Sequence, residues 1–197
     1  MDAGERRRLQ LDEQSQRYLA TAFAVAVSLI SLWVAFSSNR TQERLLAASV
    51  WPMLEYGTGN RDEDGRDMIS LEIGNNGSGP ARLRGVEVFY GKERVHNSID
   101  LLKRCCQLAA GTPIQTITSG TRGRVLKAGD TVQFMRLLKE SNNADLWKNF
   151  NTERFKIEVH ACYCSVLDDC WTLVSTRTDP EPVRSCPALA VEEEWDG

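Results

Sequence analysis

Hydrophobic and polar positions divide the chain sharply in its first fifth. Residues 18–36 (YLATAFAVAVSLISLWVAF) are almost unbrokenly apolar, and no ionisable group apart from the Tyr18 phenol occurs between Tyr18 and Asn39. At about 1.5 Å per residue the run makes roughly 28 Å of helix, close to the ~30 Å hydrocarbon core of a bilayer. A soluble amphipathic helix needs a polar stripe at a period of 3.6 residues. Here the polar side chains are Thr21, Ser28 and Ser31, each able to bond back to the helix backbone. The pattern predicts a single transmembrane helix opened by Tyr18 and closed by Phe36, with Tyr18 and Trp33 near its two interfaces. A cleaved signal peptide would also start with Arg6, Arg7 and Arg8 and place Ala35-Phe36-Ser37 at a cleavage spacing. Its apolar region, however, runs only about 7 to 15 residues. The polar stretch with Asp12 and Glu13 also separates the arginines from the apolar run, and the match to a twin-arginine signal is poor.

Residues 37–50 hold good helix formers and no Gly or Pro, so they read as a helical stalk that Trp51-Pro52 ends. Beyond Pro52 the period changes to short alternations broken by Gly, Asn and Asp, the mark of antiparallel β structure. Strands are expected at residues 53–56, 68–73 (with Ile69, Leu71 and Ile73 on one face), 83–90, 113–118, 121–126 and 131–138, and a polar loop at 57–67. In 83–90, Leu83, Gly85 and Glu87 alternate against Val86, Val88 and Tyr90. Residues 97–108 read as a helix capped by Asn97 or Ser98, with Ile99, Leu102 and Cys106 on its apolar face, and 143–150 as a helical turn carrying Leu146, Trp147 and Phe150. Residues 155–166 and 170–176 form a hairpin about Leu167-Asp168-Asp169. Its expected core face is Phe155, Ile157, Val159, Ala161 and Tyr163, completed by Trp171 and Leu173; Lys156, Glu158, His160, Cys162 and Cys164 lie opposite. The last residues, with three prolines and Glu192-Glu193-Glu194, read as extended or disordered chain except where Cys186 staples them to the domain.

The fold class expected is therefore mainly β, an N-terminal transmembrane helix followed by an Ig-like antiparallel β-sandwich with one or two short inserted helices. The segments are 1–17, a cytoplasmic N-terminal segment; 18–36, the membrane helix; 37–50, the stalk; 51–178, the sandwich; and 179–197, an acidic, Pro-containing tail. The turn Leu71-Glu72-Ile73-Gly74-Asn75-Asn76-Gly77-Ser78-Gly79-Pro80-Ala81-Arg82-Leu83, the turn Leu126-Lys127-Ala128-Gly129-Asp130 and the hairpin Tyr163-Cys164-Ser165-Val166-Leu167-Asp168-Asp169-Cys170-Trp171 carry a resemblance. Over roughly residues 18–176 the chain resembles a group of bacterial proteins with one N-terminal membrane anchor followed by a β-sandwich. That group has no assigned activity to carry over, and the shared motifs are structural turns.

Composition alone would suggest one soluble domain: 197 residues, 42% hydrophobic, 26% charged, net charge -3, mean hydropathy -0.36. The hydrophobic share excludes a disordered chain, and the mildly acidic balance excludes a generic nucleic-acid binder. Four Lys and Arg precede the apolar run (Arg6, Arg7, Arg8, Arg17) and two follow closely (Arg40, Arg44), which places the N-terminus in the cytoplasm and the rest in a periplasm or on a cell surface. All six cysteines, Cys105, Cys106, Cys162, Cys164, Cys170 and Cys186, follow the helix, and an even count there suits disulfides in an oxidising compartment. Fifteen connectivities are open. A direct Cys105–Cys106 bond is not expected, because adjacent residues are poorly placed for disulfide geometry.

Candidate chemistry is sparse. His160, Cys162 and Cys164 alternate on one strand with Cys170 on the returning one, a set able to converge on Zn²⁺ or Cu⁺ but more simply read as disulfides. The glycines of residues 74–79 are followed by a strand rather than a helix start and lysine, which argues for a turn over a phosphate cradle. Neither His96 nor His160 sits in a nucleophile motif, and Asp62-Glu63-Asp64-Gly65 lacks the ligand spacing of a calcium loop. Arg82 with Arg84 and Arg122 with Arg124 each face one side of a strand, and read as a solvated sheet face. The expectation is a non-enzymatic envelope protein without cofactor, whose partners are the lipid bilayer, through residues 18–36, and another protein, not nucleic acid. The alternative is an exported ligand- or metal-sensing domain using His160, Cys162, Cys164 and Cys170. A third reading leaves the domain cytosolic with reduced cysteines.

Overall fold

The computed structural model describes residues 3–109, 111–190 and 193–196, with side chains from residue 17 onward. The chain forms two compact units, Met1–Ala47 and Ala48–Gly197. Helix α1, Ala3–Ser49, takes in all the described residues of the first. The side chains of Arg6, Arg7 and Arg8, on which the orientation partly rests, lie outside the described residues. From Arg17 to Ser49 the helix is long and apolar enough to cross a membrane. Within it the hydroxyls of Thr21, Ser28 and Ser31 donate to the carbonyls of Arg17, Ala24 and Val27, each at 2.8 Å, so the expected back-bonding satisfies these three groups within the helix. Helix and stalk are one continuous element, since nothing between Phe36 and Ser49 breaks it.

The second unit is built from two antiparallel sheets. Strands β1 (Leu54–Arg61), β2 (Asp67–Asn75), β5 (Ile117–Thr118) and β7 (Thr131–Leu138) form one, in the order β1-β2-β7-β5. Strands β3 (Ala81–Tyr90), β4 (Glu93–Val95), β8 (Ile157–Cys164), β9 (Cys170–Val174) and β10 (Glu181–Val183) form the other, in the order β10-β9-β8-β3-β4, and β6 (Val125–Leu126) also pairs with β3. Ile69, Leu71 and Ile73 of β2, Phe134 and Leu137 of β7, Val86 and Val88 of β3, and Val159, Ala161 and Tyr163 of β8 join in one buried cluster. At about 25 cal/mol per Å² of apolar surface removed from water, this shared core is the main stabilising term of the unit. Helices α2 (Ser98–Cys106) and α3 (Ala144–Glu153) add Leu101, Leu102, Trp147 and Phe150 to it. Asn97 caps α2 by accepting from the Asp100 N–H, and Leu101 rather than the half-buried Ile99 completes the apolar face.

Several expectations are corrected. The alternation in β3 set Leu83 against Val86, yet both are buried, because Leu83 pairs with Tyr163 and Gly85 with Cys162, leaving Arg84 as an extra, bulged residue. A second bulge in β7 turns both Phe134 and Met135 inward. Phe155 is 71% exposed, because residues 154–156 form a 3₁₀ turn and the strand starts only at Ile157. β1 continues to Arg61, into the expected loop, while residues 113–118 and 121–126 keep only two strand residues each.

The C-terminal segment is the largest departure. It supplies β10, and further on Trp195 is 3% exposed, its ring edge-on to Phe134 at 5.6 Å between centroids. Past the Leu83 N–H, which donates to Arg124 O at 2.9 Å, the edge of β3 has no strand partner until β4, which starts opposite Val88. There the Trp195 N–H donates to Val86 O at 2.8 Å and the Asp196 N–H to His96 O at 2.7 Å. Glu193 pairs with Arg94 at 3.2 Å and Glu194 with Arg122. Glu192 of the acidic run lies outside the described residues. A tail that reads as solvated is ordered because an open strand edge gives its backbone a partner and the core gives its tryptophan a place.

Candidate functional site

The strongest concentration of reactive groups lies on the outer face of the sheet containing β8. Alternation along β8 sends Val159, Ala161 and Tyr163 to the core and Glu158, His160, Cys162 and Cys164 to the other side. Pairing with β9 puts Cys170 opposite Cys164, and pairing with β3 puts Arg82 opposite Cys164 and Gly85 opposite Cys162. Cys164 and Cys170, with Cα atoms 4.0 Å apart, form one disulfide across this pair. Cys162 forms another with Cys186, Cα to Cα 5.6 Å, and so ties the C-terminal segment to the sheet, as the position of Cys186 suggested. The segment then crosses Gly85, where a Cβ would stand 2.6 Å from the end of the Leu189 side chain. Glycine there is a matter of space rather than of backbone angle.

The two disulfides are packed against each other. Cys164 Sγ lies 3.7 Å from Cys186 Sγ, and the sulfurs of Cys164, Cys170 and Cys186 all fall within 4.8 Å of one another. They form the floor of an open cavity of about 410 Å³ whose rim includes Arg84, Asp168 and Arg184. Asp168 is ion-paired with Arg82, whose Nε also donates to Ser165 O at 3.1 Å. Among the described residues Arg84 and Arg184 have no carboxylate partner, so the rim carries excess positive charge. Beneath the sheet Tyr163 is fully buried and stacked on Trp171, and burial pushes its hydroxyl up to about 12, so it stays neutral.

His160 does not join the cysteines. Its Nε2 is 2.7 Å from Glu158 Oε1 and its ring lies against Phe89, 4.7 Å between centroids. The metal set His160, Cys162, Cys164 and Cys170 is thus divided, and its three sulfurs are engaged in bonds that leave no thiolate to coordinate an ion. Cys105 and Cys106, against expectation, are joined to each other with Cα atoms 3.8 Å apart. Both lie in the last turn of α2, where the chain leaves the helix through Gln107 in the left-handed region, and no other cysteine is placed to compete for them.

The other candidates resolve into local structure. Asp62 accepts from the Arg66 N–H at 2.8 Å and from its Nε at 2.6 Å, and Asp64 lies 3.2 Å from the same guanidinium, so the acidic loop is closed on its own arginine. The Arg66 backbone bond, foremost, holds the Asp62 carboxyl below its ordinary range. Residues 74–79 form a turn around the side chain of Asn75. Arg122 is taken up by Glu194 and Arg82 by Asp168. The role of Arg184, and the pairing of Arg122 with the tail, had no local signal, since both depend on contacts between distant segments. No protein-family model, curated protein or solved structure matches this chain.

Proposed function

We propose that the chain is a single-pass membrane protein whose helix anchors an extracytoplasmic Ig-like β-sandwich, and that this domain acts as a non-enzymatic protein-interaction or accessory module. The observation that carries the proposal is the joining, in one chain, of a bilayer-length apolar helix to a domain in which all six cysteines are paired as three disulfides. Disulfides of this number belong to oxidising compartments. The strand orders support the Ig-like reading: β1-β2-β7-β5 and β9-β8-β3 follow the A-B-E-D and G-F-C arrangement of immunoglobulin sheets. The N-terminus is cytoplasmic and the domain periplasmic or extracellular in this reading, in keeping with the four-to-two bias of basic residues.

A reporter pair fused to the C-terminus tests the topology. Alkaline phosphatase should be active there and green fluorescent protein dark. The opposite result would return the domain to the cytosol and remove the basis of the reading. Crosslinking in native membranes, followed by purification through a C-terminal tag, should then recover one defined protein in stoichiometric amount. A freely diffusing monomer with hydrolytic activity would refute the interaction role.

A further inference from the structure

We propose that Cys162, Cys164, Cys170 and Cys186 form a thiol–disulfide exchange site in which Cys164 takes either Cys170 or Cys186 as its partner, and which accepts an anionic thiol between Arg84 and Arg184. The inference is independent of the membrane reading, since it rests on the second unit alone.

Two disulfides that merely brace a domain have no need to touch. Here a sulfur of one is 3.7 Å from a sulfur of the other, the separation at which a thiolate on Cys164 would already be in contact with the disulfide it attacks. The contact is enforced by the fold. Cys162 and Cys164 are two residues apart on one face of β8, Cys170 is paired opposite Cys164, and Cys186 is drawn down between them by the tail. The open cavity gives a small thiol access to Cys164, Cys170 and Cys186, whereas Cys162 is not on its surface. Arg84, extruded by the β3 bulge, and Arg184, two residues before Cys186, supply positive charge that stabilises thiolate at the sulfurs and attracts an anion.

The exchange balances without any outside oxidant. A thiolate RS⁻ attacks Cys170 Sγ, the Cys164–Cys170 bond breaks, and Cys164 leaves as thiolate while Cys170 carries the mixed disulfide with R. Cys164 Sγ then attacks Cys186 Sγ, the Cys162–Cys186 bond breaks, and Cys162 leaves as thiolate and is protonated by water. A second RS⁻ attacks the R sulfur of the mixed disulfide, releasing Cys170 thiolate and RSSR. Two thiols are oxidised to one disulfide, one protein disulfide is reduced, and the tail remains tethered throughout, its anchor moved from Cys162 to Cys164.

The test uses the full chain in detergent, reduced for short times with 2-mercaptoethanesulfonate, acid-quenched and alkylated. Chymotryptic cleavage after Tyr163 separates Cys162 from Cys164 for mapping. A Cys164–Cys186 linked peptide should appear as an intermediate, with Cys162 and Cys170 alkylated. Loss of the two native pairs without that peptide would overturn the proposal. In a Cys170→Ser variant, still tethered by whichever pair forms, alkylation should divide between Cys162 and Cys164; label on Cys164 alone would overturn it independently. Substituting Arg84→Gln and Arg184→Gln together should slow reduction by 2-mercaptoethanesulfonate about three- to tenfold at low salt and leave the cationic thiol cysteamine unslowed. Equal slowing of both thiols would refute the anion specificity.

Discussion

Asn75 shows how much of the β domain depends on single side chains. It is fully buried, and its Nδ2 donates to Gly79 O, Leu126 O and Lys127 O at 2.8, 3.0 and 3.1 Å. Its Oδ1 accepts from the Met53 and Gly77 N–H groups at 3.2 and 3.1 Å. One amide thereby joins the entry to β1, the turn into β3 and the turn before β7. Replacing it by Ala leaves several buried backbone groups unpartnered, and Asn75→Ala should cost about 3 kcal/mol, read as a lowered denaturation midpoint of the full chain in detergent. Asn75→Asp should cost more, since it sets a buried carboxylate against three carbonyl oxygens. The exposed Asn76, whose side chain bonds Glu55 while its backbone N–H donates to Met53 O, provides the contrast: Asn76→Ala keeps the backbone bond and should change stability by less than about 0.5 kcal/mol. Gly79 in the same turn is needed for space. A Cβ there would lie 2.0 Å from Val50 O and 2.2 Å from its carbonyl carbon, so Gly79→Ala must displace backbone and should cost about 2 to 4 kcal/mol, while Gly120→Ala, with nothing within 4 Å, should be silent in the same melt.

At the scale of elements, the C-terminal segment is a strap fixed by one disulfide, one tryptophan and two ion pairs. Removing the Trp195 side chain empties a place in the core beside Phe134, so Trp195→Ala should destabilise the domain by about 3 to 5 kcal/mol; a smaller change would mean the core closes over the gap. Glu193 links the strap to pH. The Ala190 N–H and then Arg94 hold its carboxyl below the usual glutamate range. A carboxyl lowered on folding stabilises at pH values above its unfolded pKa, about 4.3, and that contribution is lost as pH falls through the folded value. Wild type should therefore resist urea better than Glu193→Gln at neutral pH, with the difference shrinking as pH falls below the unfolded glutamate range and vanishing once it has passed the folded value. Apart from the staple at Cys186, none of this was legible in the sequence, and the reason is physical. The elements that were legible announce themselves locally: the unbroken apolar run of α1, the alternation Ile69-Leu71-Ile73, the Asn97 cap, the Cys162-Cys164 spacing on β8. The strap's prolines and acidic residues describe only its own solvation, whereas what orders it, the bare edge at Val86 and the space beside Phe134, is set by residues more than sixty positions away. The same holds for disulfide pairing, where alternation placed three cysteines on one face but could not choose among partners, and for Phe155, whose apolar character fits a strand that a 3₁₀ turn delays by two residues.

For the molecule as a whole, the proposed topology and the state of the sulfurs are one variable. Orientation by the positive-inside bias rests on Arg6, Arg7, Arg8 and Arg17 against Arg40 and Arg44, a margin small enough to reverse. Replacing Arg6, Arg7 and Arg8 together by Gln leaves one basic residue before the span and two after it, so a fraction of chains should insert with the β domain in the cytoplasm. There glutathione and thioredoxin keep thiols reduced, and without Cys162–Cys186 the strap loses its covalent tie to β8. The inverted fraction should thus be recognised three ways in one preparation: alkylation of cysteines without prior reduction, loss of alkaline phosphatase activity from a C-terminal fusion, and proteolysis near the C-terminus in cell lysate. These signals should rise together as the arginines are removed one at a time. Alkylation of the unmodified chain to the same extent as the triple variant would show that the disulfides do not report the compartment. A variant such as Val27→Arg with Leu29→Arg should behave differently. Two arginines near the middle of the span raise the insertion free energy by about 5 to 7 kcal/mol, so it should release the chain into the carbonate-soluble fraction rather than invert it. Inversion and release are separable outcomes, so the pair of variants distinguishes a helix that sets orientation by its flanks from one that is apolar for another reason.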